Sequence, residues 1–62
     1  MNAEKLREKM RQMRVKRYEL AAELNVRPET ISVWLDEARQ WDLIVMDKAI
    51  DTIVSQRMEV LG

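Results

Sequence analysis

The stretch Lys16–Leu35, KRYELAAELNVRPETISVWL, divides into two short amphipathic segments around a turn. In the first, roughly Arg17 to Leu24, the residues Leu20, Ala21 and Leu24 fall at i, i+1 and i+4 and share one face of a helix. Asn25 follows. Asn tolerates the left-handed conformation better than any other residue with a side chain, so it can end a helix. Val26 is a single apolar residue inside the turn, placed to plug the space between two helices. Pro28 suits the first position of a new helix, where its missing N–H costs nothing. Glu29 suits the positive end of that helix's dipole. Ile31, Trp34 and Leu35 recur at i, i+3 and i+4 and give the second segment one apolar stripe. The spacing predicts that Ile31 and Trp34 point inward.

Everything outside this stretch is short. Sixty-two residues make one small domain, 1–62. A chain of that length buries only about 60% of its unfolded surface. It holds no Cys and no His, which excludes disulfides and common zinc sites. What remains as support is helix packing or oligomerisation. One Gly and one Pro argue against a turn-dense β fold, and 35% charged with 47% hydrophobic residues suits an all-α domain. No apolar run approaches the roughly 18 residues of a membrane span. The charged N-terminus does not read as a signal peptide. No membrane partner is expected, and a cytoplasmic location is.

Net charge is zero but unevenly spread. Residues 1–27 hold eight Lys or Arg against four Glu, a balance of +4, and residues 28–62 hold three against seven acids, a balance of −4. Such an asymmetry can orient a molecule on a polyanion, or it is simply two solvated helix faces.

Before the central stretch, Asn2 caps a helix starting at Ala3, with Leu6, Met10 and Met13 at i, i+4 and i+7 and a basic exterior. Val15 ends that helix or staples the next. Tyr18 lies off the stripe of its helix. Its ring packs on the first helix, or its hydroxyl meets a phosphate. After Leu35 no Gly or Pro intervenes, so the second helix of the pair extends to about Arg39. Asp42 then caps a last helix, about 43–60, unless that segment is broken and makes a fifth helix. Leu43, Met46, Ile50, Ile53, Arg57 and Val60 form its main face, and Val54, Met58 and Leu61 a second apolar edge. The main face closes the core. The surplus edge is a candidate two-fold contact, making a homodimer the expected assembly. Trp41, at the helix junction, is either core or an aromatic interface anchor.

Lys16–Leu35 resembles the helix-turn-helix of the lambda-repressor and Cro-like family, often called the XRE type, and Leu6 to Leu35 fits that family's first three helices. The resemblance lies in small Ala21 within the first helix, Asn25 four residues on, Val26, and the run Thr30-Ile31-Ser32 with Trp34 behind it. Asn25 stands where Gly is usual, Lys16 where Thr or Ser often opens the first helix, and Arg27 where Ser often caps the second. The resemblance implies a four- to five-helix, lambda-repressor-like fold. It implies a transcriptional regulator that binds double-stranded DNA by sequence, with a reading helix of about Pro28–Ala38 in the major groove. It puts base contacts on Pro28, Glu29, Thr30 and Val33.

Chemistry fits those positions. Glu29 can accept from a cytosine amino group and Val33 can pack on a thymine methyl. Thr30 and Ser32 can bond bases or phosphates, and Lys16, Arg17 and Arg27 can hold phosphate. Arg14 and Lys9 add to the field. Against this stand Glu29, Asp36 and Glu37, acids on a helix meant for a polyanion. They favour the alternative of a protein-interaction module, antirepressor-like; the DNA-binding part of a transposase or phage packaging subunit is a further alternative. No enzyme is expected: there is no His base and no Cys nucleophile, and Ser32 and Ser55 lack a His partner. No cofactor, metal or small-molecule substrate is expected either.

Overall fold

The computed structural model describes residues 1–61, with side chains described through Glu59. Four helices follow one another: α1 (Ala3–Met13), α2 (Arg17–Leu24), α3 (Pro28–Glu37) and α4 (Gln40–Leu61). No strand occurs among the described residues, so the chain is all-α.

Local chemistry sets most of the boundaries. Asn2 is extended, and its side chain accepts the Lys5 N–H at 2.8 Å, satisfying one of the orphan donors of α1. At the other end Arg14 turns left-handed (φ 54°, ψ 45°). The Val15 N–H then reaches back to the Met10 carbonyl at 2.8 Å, a Schellman closure that drives Val15 into the core. Val15 thereby takes the place that periodicity predicts for Met13, which lies on the surface. The same closure ends α2. Asn25 is left-handed (φ 57°) and the Val26 N–H bonds the Ala21 carbonyl at 2.9 Å. Val26 packs against the core from within the turn. Pro28 occupies the first turn of α3.

Two boundaries differ from the sequence expectation. α3 stops at Glu37, not near Arg39, because Ala38 is left-handed (φ 54°) and donates to the Trp34 carbonyl at 2.9 Å. α4 then begins at Gln40, with the Arg39 carbonyl accepting the Leu43 N–H at 3.0 Å. Asp42 is therefore not a cap. It sits in the first turn, where a carboxylate suits the dipole. From there α4 is unbroken, so there is no fifth helix among the described residues. The chain's single Gly is Gly62, so all three left-handed stops use residues that pay a steric cost of about 1 kcal/mol each.

The core is one cluster: Leu6 and Met10 of α1, Val15, Leu20 and Ala21 of α2, Ile31 and Leu35 of α3, and Leu43, Met46, Ala49, Ile50 and Ile53 of α4. It contains no polar or charged residue. α2 packs on α3 and α4, and α1 packs on α4. Trp34 is only half-buried against the cluster, not fully inside it. Tyr18 is 62% exposed and not sheltered by α1. Of the second apolar edge on α4, Val54 is half-buried and Met58 is exposed; the side chains of Leu61, its third member, and of Val60 on the main face lie outside the described residues. No described helix is long and apolar enough to cross a membrane.

Arg57 is a polar residue in the line of the α4 apolar stripe, and its acceptors explain the position. Nη1 donates to the Met13 carbonyl at 2.8 Å, and Nη2 to the Arg14 carbonyl at 3.0 Å and to the Glu19 carboxylate. One guanidinium thus caps the C-terminus of α1 and ties α4 to α2. The other oxygen of Glu19 accepts the Lys16 N–H at 3.0 Å and so closes half of a capping box. The reciprocal bond is absent because an ammonium has no acceptor. These donors, the Lys16 amide first and Arg57 second, hold the Glu19 carboxyl below its ordinary pKa.

Candidate nucleic-acid interface

α3 buries Ile31 and Leu35 and turns its opposite side outward. Pro28, Glu29 and Asp36 on that side are exposed, and Val33 is 49% exposed. Thr30 and Ser32 at its edges are half-buried. α4 packs on the inner side and leaves this outer side open.

The helix starts bring basic residues to it. Lys16 and Arg27 are the extended residues that open α2 and α3, and neither side chain caps its helix. Both are therefore cations at the positive end of a dipole, a locally unfavourable placement that a bound anion would relieve. Arg17, the first residue of α2, donates from Nη1 to Ser32 Oγ at 3.0 Å. Ser32 is thus the hydroxyl that holds Arg17 beside α3. Behind it runs an open groove of about 390 Å³, lined by Arg7, Met10, Arg17, Ser32, Leu35 and Asp36.

Internal pairing decides which charges remain available. Lys9 Nζ reaches Asp47 at 2.7 Å and Asp51 at 2.8 Å; these carboxylates raise its pKa and take it out of any field. Arg57 is spent on Glu19 and Arg11 on Glu8. Arg7 pairs with Asp36 at 3.1 Å and Arg39 with Glu37 at 3.1 Å. Among the described residues Lys5, Arg14, Lys16, Arg17, Arg27 and Lys48 have no acidic partner, and four of these six, Arg14, Lys16, Arg17 and Arg27, lie in or beside the two connections flanking α2. Of the three acids on α3, only Glu29 is left without a cation.

The structure therefore brings Arg17 and Ser32 together and sets Arg27, Pro28, Glu29 and Thr30 along the start of α3, with Val33 one turn on. Lys16 precedes Arg17. Sequence reasoning missed Arg7 as the neutraliser of Asp36. The two are 29 residues apart, and no local pattern links them. No protein-family model, no curated protein and no solved structure matches the chain, so this surface is read from its own geometry.

Proposed function

We propose that α2 and α3 form a helix-turn-helix of the lambda-repressor and Cro-like (XRE) type, and that the chain is a transcriptional regulator binding duplex DNA by sequence. α3 enters the major groove. Glu29 and Val33 meet base edges, with Pro28 and Thr30 beside them, and Lys16, Arg17 and Arg27 hold phosphates. Ser32 positions Arg17. The observation that carries this reading is the set of cations left without an acid around the open side of α3. The pairing of Asp36 and Glu37 supports it further, because it removes most of the repulsion those acids would exert on a phosphate backbone. Buried Ala21 supports the close approach of α2 and α3 that such a motif needs.

The test is binding to mixed duplex DNA at two salt concentrations. Three phosphate-neutralising cations per chain give a slope of about −2.7, or roughly 40-fold weaker binding between about 50 and 200 mM salt. A second reading, a protein-interaction module, is favoured by one fact: α3 itself carries no Lys or Arg. Absence of binding at the lower salt would replace the DNA reading with that one.

A further inference from the structure

Trp41 leaves 76% of its surface in water, on the order of 150–200 Å² of aromatic area. The core does not call on it, and it is not alone. Ile44, 42% exposed, and half-buried Val45 follow at i+3 and i+4, and Lys48 at i+7. Helical geometry sets these four on one outward face of α4, over about 10 Å. Lys48 has no acidic partner among the described residues. The two nearest acids along its helix, Asp47 and Asp51, are bound to Lys9.

We infer that this face docks a second copy of the chain, two α4 helices crossing antiparallel about a two-fold axis between Ile44 and Val45. The pattern names the occupant. In such a pair Ile44 meets Val45 of the partner subunit, and Trp41 meets Lys48 of the partner subunit. The indole face takes the ammonium as a cation–π contact, and each pairing occurs twice. The stripe is complementary to its own reverse, with an aromatic at one end and an uncompensated cation at the other. A foreign protein would have to supply both; a second copy already does. None of the four residues belongs to α3, so the inference does not rest on DNA binding. The contact is well below the ~800 Å² per partner of a tight complex, so the dimer is weak.

Sedimentation equilibrium of the full chain without DNA, from about 10 μM to 1 mM, tests this. The expected result is a monomer–dimer equilibrium. Trp41→Ala and Lys48→Glu should each raise its Kd at least about tenfold, and Lys48→Arg should leave it near the original value. Unchanged circular dichroism would show that the variants fold. A chain still monomeric at the highest concentration overturns the inference. So does a dimer indifferent to Trp41→Ala, including one that Met58→Ala weakens instead. A dimer of the expected kind that ignores duplex DNA removes the DNA reading alone, and a monomer that binds duplex removes this inference alone.

Discussion

Removing Arg57 tests whether one guanidinium holds three helices together. Arg57→Ala deletes bonds to the Met13 and Arg14 carbonyls and to Glu19. If fully buried, losing one partner of such a pair would cost about 3–5 kcal/mol. The Arg57 side chain is 38% exposed and that of Glu19 24%, so water replaces part of what is lost. A loss of about 2 kcal/mol is the resulting figure. The whole domain, at about 0.05–0.15 kcal/mol per residue, has roughly 3–9 kcal/mol to lose from. Urea unfolding followed by far-ultraviolet circular dichroism reads the change. With a slope near 1 kcal/mol per molar, the midpoint should fall by about 2 M, and in heating the Tm by about 8–16 °C. Arg57→Lys should recover less than half, since an ammonium lacks the fork that reaches both carbonyls and the carboxylate together. A variant within about 0.5 kcal/mol of the parent would refute the clamp.

Glu19 carries a pH signature. Its folded pKa is lowered, so its contribution is present above the ordinary value of about 4.3 and fades as pH falls through the folded value. Parent and Glu19→Gln should therefore differ in stability near about pH 7, and the gap should narrow as pH falls below the ordinary glutamate value; a gap that stays constant into acid would contradict this. Lys9 acts at the other end of the scale. Its raised pKa means its contribution is complete below the ordinary lysine value and lost only at stronger alkali, which Lys9→Met should abolish in an alkaline titration. Ala38→Gly removes a left-handed alanine and should raise stability by about 0.5–1 kcal/mol in the same urea assay; a loss would mean the Cβ packs usefully. Arg17→Ala should reduce the salt slope of duplex binding by about 1 without unfolding the chain, and an unchanged slope would free Arg17 of phosphate.

The parts of the fold that were legible in the sequence are those set by local chemistry. Asn2, Asn25 and Pro28 act on their own neighbours, so the starts of α1 and α3 and the end of α2 fall where the residues say. The stop at Ala38 is different. Alanine is the best helix former, and its left-handed backbone is imposed by the reversal that lets Leu43 and Met46 reach the core. Met13 and Val15 exchange roles for the same reason: a Schellman turn, not the helical period, decides which of them is inside. At the candidate site the residue types were readable but their availability was not. Lys9 reads as part of a basic exterior until Asp47 and Asp51, 38 and 42 residues away, are folded against it. Arg57 reads as a break in an apolar stripe until its acceptors, as far as 44 residues back, come into place.

The most direct test of duplex binding through α3 is residue-by-residue amide chemical-shift mapping as DNA is added at low salt. Shifts are expected at Lys16, Arg17, Arg27, Glu29, Thr30 and Val33, with Thr52 and Ser55 on the outer side of α4 unmoved. Shifts confined to α4, or none at all, would contradict a reading helix in α3.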